Sequence, residues 1–415
     1  MQRLQAFKFQ LMPNGAQQRD MRRFAGSCRF VYNKTLALQQ SHHEAGGKFI
    51  GYVALAKHLT DWRHSSETPW LKEAPCHPLQ HALKDLDRAY QNFFAKRADF
   101  PRFKRKGRGE SLRYPDPKQF EIDQANSRIK LPKLGWMRYR KSRDIAGVAR
   151  NITLSESGGK WYASIQTKQE LPQPVPAATT AIGIDVGIAR FATLSDGRCI
   201  APLNSFKQHQ LRLARYQRRM ARKIKFSKNW KKAKVNVQKI HTAIANARKD
   251  FLHKTSTTIS QNHALVCIEG LQVRNMSRSA KGSREQPGKR VRQKAGLNRC
   301  ILDQGWAEFR RQLAYKMDWS GGLLLAVPAH HTSQTCPSCG HVAAENRRTQ
   351  QQFQCVACRH TAHADVVGAI NVLERGQRLL ACGEGGSGRG RKIRAKPASV
   401  KQEPAEATTQ ETAHA

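Results

Sequence analysis

Residues 353–371 read FQCVACRHTAHADVVGAIN, and this stretch joins two different kinds of signal. Cys355 and Cys358 form a CxxC pair, the spacing of a zinc-binding knuckle. Seven residues after Cys358, Asp365 stands at the start of an apolar pattern typical of a helix. Asp365 is therefore either the N-cap of that helix or a catalytic carboxylate placed beside a metal-stabilised loop.

A second CxxC lies upstream. Cys336 and Cys339 are separated by fifteen residues from the pair at Cys355 and Cys358. Two such knuckles predict a closed tetrahedral site of four thiolates, which is the structural type of zinc site. A thioredoxin-like redox motif would need only one pair. We expect structural Zn²⁺ on these four cysteines, within a ribbon over residues 330–362.

Two further acidic residues occupy apolar strand patterns. Asp185 lies in GIDVG, and Glu269 ends the strand pattern ALVCIE. Taken singly, Asp185 could be a turn residue, Glu269 a surface charge at a strand end, and Asp365 a helix N-cap. No capping box supports the last reading, because Gly368 stands where Glu or Gln would complete it.

Taken together, the three carboxylates indicate catalysis. An acidic residue on a first strand, one at the end of a later strand and one on a late helix can converge at one end of a sheet. Three carboxylates there would hold two divalent cations about 4 Å apart, one activating water and the other stabilising the leaving 3′-oxygen. Hard oxygen ligands and a phosphate substrate favour Mg²⁺. We therefore predict Asp185, Glu269 and Asp365 as catalytic, magnesium-binding residues.

The charge of the chain predicts a polyanionic partner. Its 415 residues include 73 Lys and Arg against 30 Asp and Glu, for a formal net charge of +43. Such an excess opposes compaction unless a polyanion such as nucleic acid neutralises it. Between Gly197 and Lys249 there are sixteen Lys or Arg and no acidic residue. A solvated helix face would carry both signs, so this run favours a helical arm over about 205–250 that contacts phosphates. The predicted nucleic-acid-binding residues are Arg218, Arg219, Arg222, Lys223, Lys225, Lys228, Lys231 and Lys232.

The remaining sequence predicts a soluble, intracellular protein. The six cysteines outside the two CxxC pairs are scattered, which is typical of a reducing compartment. The most apolar run, residues 321–329, is too short to span a bilayer. The N-terminal residues lack the apolar core of a signal peptide. No membrane partner is expected.

Alternating and helical patterns divide the chain into segments. A strand, then helices, then short strands predict an N-terminal β-barrel module with a helical insertion, and a Pro-rich linker follows it. A single helix is predicted over about 296–318. The composition of the C-terminal segment predicts disorder. The predicted segments are the barrel module at 1–170 with its insertion at about 14–98, the linker at 171–180, an α/β unit at 181–329, the ribbon at 330–362, a final helix at 363–377 and the tail at 378–415.

Several motifs recur in an order that resembles the TnpB family, the OrfB proteins of insertion sequences. They are GIDVGIARFATLSDG (183–197), the basic run after it, VCIEGL (266–271), and the two cysteine knuckles ending in ADVVGAIN. Upstream, LRYPDP (112–117) and GGKWYASI (158–165) look like the N-terminal half of that family. The resemblance covers roughly residues 1–376, and it implies a prokaryotic protein of the cytoplasm, associated with the nucleoid.

The resemblance implies an RNA-guided DNA endonuclease related to the effectors of type V CRISPR systems. It implies a wedge-type β-barrel with a helical recognition insertion, then a RuvC-like nuclease of the RNase-H-like fold interrupted by a four-cysteine zinc ribbon. The family's nuclease carboxylates match Asp185, Glu269 and Asp365. The implied partners are a guide RNA from the transposon end and double-stranded target DNA, of which the protein itself would read a short flanking motif.

The chain departs from the family at four positions. Val367 and Gly368 stand where the family usually has Asn-Ala, Arg359 replaces a common Gly, and Gly270 replaces a common Asp. The carboxylate triad is intact, so activity is expected. The alternatives are a transposase, since strand transfer can use the same two-metal chemistry, and a DNA-binding regulator that does not cut. The sequence leaves the oligomeric state open.

Overall fold

The computed structural model describes residues 1–107 and 109–382 of the chain. Most of the predicted disordered tail, residues 383–415, lies outside this part. None of the helices in the described part is long and apolar enough to cross a membrane.

The N-terminal module is built on an antiparallel sheet of seven strands. They pair in the order β2-β6-β7-β1-β5-β4-β3. Alternate residues of the first strand, Phe7, Phe9 and Leu11, are buried in the module's core. This strand pairs with β7 along most of its length and with β5 at its end, so it joins the two halves of the sheet. The strands are β1 (Gln2–Met12), β2 (Ser111–Tyr114), β3 (Glu121–Asp123), β4 (Arg128–Leu131), β5 (Gly135–Tyr139), β6 (Val148–Ser157) and β7 (Lys160–Glu170).

Three helices are inserted between β1 and β2. They are α1 (Gly15–Glu44), α2 (Tyr52–His64) and α3 (Cys76–Phe94). A capping box of Asn14 and Gln17 starts α1. The Gln17 side-chain amide also donates to the carbonyls of Leu134 and Trp136, at 2.9 and 2.8 Å. The first turn of the insertion is thereby fixed to the sheet.

The second half of the chain forms a mixed sheet of five strands in the order β10-β9-β8-β11-β12. Strands β8, β11 and β12 are parallel, whereas β9 runs antiparallel to β8. Asp185 and Glu269 are the last residues of β8 and β11, so both lie at the carboxyl edge of the parallel strands. The strands are β8 (Ala181–Asp185), β9 (Ala192–Leu194), β10 (Cys199–Ile200), β11 (Leu265–Glu269) and β12 (Leu323–Val327).

Six helices accompany this sheet, and they correct three predicted bounds. The single helix predicted over 296–318 is wrong, because Gly305 takes a left-handed φ of 75° and separates two helices. The second helix of the predicted arm continues to Asn262, and the final helix continues to Ala381 rather than residue 377. The helices are α4 (Ser205–Ala221), α5 (Lys228–Asn262), α6 (Val273–Met276), α7 (Val291–Gln304), α8 (Trp306–Ser320) and α9 (Ala364–Ala381).

A small two-stranded unit, β13 (Gln352–Gln354) and β14 (Thr361–His363), lies between β12 and α9. The segment from β12 to α9, to which this unit belongs, contains the two CxxC pairs. Because β14 ends where α9 begins, the ribbon leads directly into the helix that carries Asp365.

Glycines let α9 approach the sheet closely. A Cβ atom on Gly183 of β8 would fall against the carbonyl oxygen of Ala369 and within 2.8 Å of the Leu373 nitrogen. One on Gly376 of α9 would lie 3.0 Å from the Cβ of Cys267 in β11. No side chain fits at either contact, so these glycines set the distance between helix and strands.

We expect Gly183→Ala to destabilise the protein by several kcal/mol, since the added methyl group must displace the backbone of α9. Urea unfolding monitored by circular dichroism measures this. Gly26→Ala, within α1, is the control, because its Cβ would meet only the end of the Arg29 side chain, at 3.7 Å. Equal stability of the two variants would contradict this account of the packing.

Candidate active site and zinc centre

Asp185 is the most perturbed carboxylate of the site. Its side chain lies at the end of β8 and faces α9, where a Cβ on Gly368 would lie 3.0 Å from its Oδ2 atom. Burial, followed by the nearby negative charges of Glu269 and Asp365, raises the pKa of Asp185 to about 7. The three predicted catalytic residues are therefore close enough to interact electrostatically.

Glu269 is held by a hydroxyl from the loop after β12. The Oγ1 atom of Thr332, a buried residue, donates a hydrogen bond of 2.8 Å to Glu269 Oε1. Burial raises the pKa of Glu269, while this hydrogen bond and the charges of Arg375 and Arg347 oppose the rise. The Thr332 contact fixes the orientation of the carboxylate.

Asp365 is not the N-cap of α9. That position is taken by His363, whose Nδ1 atom accepts from the Asp365 backbone N–H at 3.2 Å. The carboxylate of Asp365 is consequently free for other contacts, and one of its oxygens lies 3.9 Å from the guanidinium of Arg347. Arg347 belongs to the ribbon, and it also lowers the pKa values of Asp185 and Glu269.

Two polar residues of α9 secure the loop that carries Thr332. The buried Asn371 side chain donates to the carbonyls of Thr332 and Thr335, at 2.7 and 2.8 Å. Arg375 donates to the carbonyls of Pro328 and His330. Sequence analysis missed Thr332, Asn371 and Arg375; the only signal was their proximity in sequence to the cysteines and to Asp365.

The departures at Val367 and Gly368 have a local explanation. Val367 is fully buried and packs with Cys336 and Phe353 of the ribbon. Gly368 faces Asp185 directly. A residue larger than glycine at 368 would have to share the space of the Asp185 carboxylate.

The carboxylates of Asp185, Glu269 and Asp365 offer the hard oxygen ligands that Mg²⁺ prefers. Among the described residues, only the four CxxC cysteines form a group of three or more potential ligands whose donor atoms all lie within 4.8 Å of one another. The oxygens of Asp185, Glu269 and Asp365 are spread more widely. A pair of Mg²⁺ ions about 4 Å apart, each about 2.1 Å from its ligands, spans oxygens up to about 8 Å apart. Burial and the charges of Glu269 and Asp365 together raise the pKa of Asp185, and bound cations would relieve the repulsion between these charges.

The four cysteines meet the geometry of a zinc site. The Sγ atoms of Cys336 and Cys358 are 3.6 Å apart, as are those of Cys339 and Cys355. Sulfurs at about 2.3 Å from a tetrahedral zinc would lie about 3.8 Å apart. All four therefore converge on one point that can hold Zn²⁺, with no ligand position left for chemistry.

The two knuckles share one backbone conformation. In the first knuckle, the backbone N–H of Gly340 donates to the carbonyl of Cys336. In the second, the backbone N–H of Arg359 donates to the carbonyl of Cys355 in the same way. Gly340 has a φ of 75° and Arg359 a φ of 61°. The left-handed φ of Arg359 explains why glycine is common in the family at position 359, since a residue with a side chain is strained in that conformation.

The predicted arm is an antiparallel pair of helices, α4 and α5. Leu213, Val237, Ile240 and Ile244 form its apolar seam. All eight predicted phosphate-binding residues, Arg218 to Lys232, are exposed around the turn between the helices. The N-terminus of α4 is fixed by Asp303 of α7, which accepts from Ser205 Oγ and the Phe206 N–H.

Comparisons with known proteins show the family of the chain. Family models match residues 164–280 ("OrfB_IS605: Probable transposase"), 306–372 ("Cas12f1-like, TNB domain") and 1–48 ("Helix-turn-helix domain"). The chain is 56% identical over 384 residues to an Escherichia coli K12 protein named "Putative RNA-guided DNA endonuclease InsQ", covering 92% of this chain and 95% of the relative. The chain belongs to the TnpB family.

A second relative and one solved structure also align with most of the chain. A Streptomyces pristinaespiralis member, also named "Putative RNA-guided DNA endonuclease", is 34% identical over 408 residues, or 97% of each chain. A solved structure of "the mini-RNA-guided endonuclease CRISPR-Cas_phi3" aligns with 91% of this TnpB-family chain and 92% of its own length, at 9% identity and a TM-score of 0.43. The segment matched by the helix-turn-helix model contains strand β1 and the single long helix α1.

We expect Cys336→Ser to lose bound zinc and to loosen the start of α9, because Cys336 packs beside Ala364 and Val367. Metal analysis of the purified protein should give about one zinc per chain before the substitution and far less after it. Cys382→Ser is the control, since that exposed cysteine is outside the cluster. Unchanged zinc content in the Cys336 variant would disprove a four-thiolate site.

We expect Asp185→Asn to stabilise the magnesium-free, zinc-loaded protein at pH 8. The folded pKa of Asp185, about 7, exceeds the ordinary value of 3.8, so its ionisation opposes folding increasingly as pH rises from about 4 to 7. The gain in the free energy of unfolding should be about 4 kcal/mol at pH 8, because the shift is about three pKa units and each unit corresponds to about 1.4 kcal/mol. Denaturation without added Mg²⁺ at a series of pH values measures it.

That gain should disappear near pH 4, where Asp185 is protonated in the folded protein. Asp250→Asn is the matched control, because the Asp250 side chain is 62% exposed. A variant at Asp185 that is no more stable than wild type at pH 8 would show that its carboxylate is not crowded.

Proposed function

We propose that this chain is a transposon-encoded, RNA-guided DNA endonuclease that hydrolyses phosphodiester bonds with Asp185, Glu269 and Asp365. The observation that carries the proposal is the convergence of these carboxylates at one sheet edge, where burial and the neighbouring charges of Glu269 and Asp365 raise the pKa of Asp185 to about 7. Carboxylates crowded in this way are typical of catalytic metal sites. The names of the two relatives support the same activity.

We assign residues 181–329 and 363–377 to an RNase-H-like, RuvC-like nuclease domain. The mixed five-stranded sheet, with α9 packed across it, supports this assignment. The zinc ribbon at 330–362 then interrupts the nuclease. We assign 1–170 to a wedge-type barrel module with a recognition insertion at about 14–98, followed by a linker at 171–180.

Each residue of the site has a distinct task. Bound Mg²⁺ would supply an activated water and would stabilise the leaving 3′-oxygen. Asp185, Glu269 and Asp365 would hold the cations as ionised carboxylates. Thr332 keeps Glu269 oriented through its 2.8 Å hydrogen bond. Arg347, at the partly exposed side of the site, is placed to pair with an oxygen of the DNA phosphate.

The same proposal gives the basic arm a role. Its eight exposed Lys and Arg side chains would neutralise phosphates of the guide RNA and of double-stranded target DNA. Base pairing with the guide would select the target, so the protein needs few contacts to base edges beyond a short flanking motif. A regulator that binds without cutting would not require three carboxylates in this arrangement.

We expect Asp185→Ala to abolish Mg²⁺-dependent DNA cleavage, because the remaining two carboxylates cannot hold both cations. RNA and DNA binding should persist. The protein would be purified with its bound RNA, the RNA sequenced, and cleavage of a plasmid carrying the matching target measured. Asp196→Ala is the control, since Asp196 lies in an exposed turn and pairs with Arg198.

Retained cleavage by the Asp185 variant would refute the assigned triad. A product in which DNA ends are joined to new strands, instead of free cut ends, would favour the transposase alternative over the endonuclease.

A further inference from the structure

A pocket outside the nuclease site lies between the tip of the basic arm and the N-terminal module. We call it the arm pocket. It encloses about 420 Å³ and is lined on the arm side by Phe226, Trp230, Lys231 and Lys234. On the other side lie Arg22, Lys106 and the β6–β7 turn. The turn contacts α5 directly, because a Cβ on Gly158 would lie 3.0 Å from the Thr242 hydroxyl.

Phe226 combines a strained backbone conformation with a largely exposed side chain. It lies in the turn between α4 and α5 with a left-handed φ of 70°, a conformation that disfavours L side chains. Its side chain is nevertheless 65% exposed. Strained and exposed aromatic residues of this kind are found where a ligand is bound.

Phe226 and Trp230 together form an aromatic platform. Their ring centroids are 5.5 Å apart and their planes are inclined at 58°. The Ser227 hydroxyl accepts from the Trp230 backbone N–H at 3.1 Å, which caps the first turn of α5. With the rings inclined in this way, a planar base can stack on one ring while its edge contacts the other.

The charges around the platform are suited to a phosphate. Lys234 lies 5.4 Å from the Trp230 ring and Lys225 lies 5.3 Å from the Phe226 ring. The two carboxylates that line the pocket are already paired: Glu156 with Arg22 at 3.0 Å, and Glu110 with Arg29. The cations of the pocket are therefore in excess.

The wall of the pocket opposite the arm leaves room for a nucleic-acid backbone to approach. A Cβ on Gly109 or Gly159 would meet no atom within 4 Å, and one on Gly107 would meet only the Lys234 ammonium, at 3.6 Å. Glycines facing open space beside lysines are a common arrangement for phosphate contacts.

We propose that the arm pocket binds one unpaired nucleotide of RNA, with the base stacked on one of the Phe226 and Trp230 rings and edge-on to the other, and its phosphate between Lys231 and Lys234. The volume accommodates a single nucleotide and excludes a duplex. Glu156 can accept a hydrogen bond from a ribose 2′-hydroxyl, which favours RNA over DNA. The inference rests on the proposed RNA-guided function and adds a specific site where the RNA is held.

The test uses the full chain and an oligouridine RNA of about eight nucleotides carrying one 5-iodouridine. We expect Phe226→Gly and Trp230→Ala each to weaken binding about tenfold in fluorescence anisotropy. Phe226→Gly should not lower the melting temperature, because glycine relieves the left-handed strain. Leu211→Ala, at an 86% exposed apolar position of α4 outside the pocket, should bind as wild type does.

Two further measurements separate stacking from charge. Loss of either aromatic ring should leave the slope of log affinity against log salt unchanged, whereas Lys234→Ala should reduce it by about 0.7. Irradiation of the iodouridine complex should crosslink the RNA at Phe226 or Trp230, as mass spectrometry would show.

Wild-type binding by both aromatic variants, or crosslinks confined to other segments, would overturn the inference. Equal affinity for the DNA oligomer of the same sequence would overturn its assignment to RNA. If the unmodified chain binds no RNA at all, the proposed guided function fails as well. If it binds RNA and cleaves its target while Phe226→Gly behaves identically, only the arm pocket assignment fails.

Discussion

The close packing of α9 against β8 and β11 is the constraint on which the rest of the nuclease half depends. Gly183 and Gly376 leave no space for a side chain between helix and sheet, so α9 can sit in only one register. That register places Asp365 at the sheet edge where β8 and β11 end in Asp185 and Glu269. Three carboxylates from distant parts of the sequence thereby share one site, although their mutual repulsion opposes it.

The four-cysteine ribbon supports the carboxylate site by positioning its residues. Its four thiolates close the segment between β12 and α9, and Asn371 and Arg375 bind the loop at its start to the same helix. Thr332, in that loop, orients Glu269, and Arg347, within the ribbon, faces Asp365. Ribbon, loop and helix are thus one connected unit.

Features encoded by local pattern were predictable from the sequence. The CxxC spacing predicted the four convergent sulfurs, and the apolar strands ending in acidic residues identified Asp185 and Glu269. Features set by tertiary contacts were not. The break at Gly305 looked like an isolated glycine in a helix, and His363 gave no capping signal, although it is the N-cap that leaves Asp365 free. Thr332 and Arg347 matter only because folding brings the ribbon back over the sheet.

The most direct test of the account is the number of divalent cations bound at the carboxylate site. Titration of the zinc-loaded protein with Mn²⁺, monitored by electron paramagnetic resonance, measures both stoichiometry and distance. If the three carboxylates hold two cations, the protein binds two Mn²⁺ ions per chain, with the spin coupling of ions about 4 Å apart. A single isolated ion, or no specific binding, would contradict it.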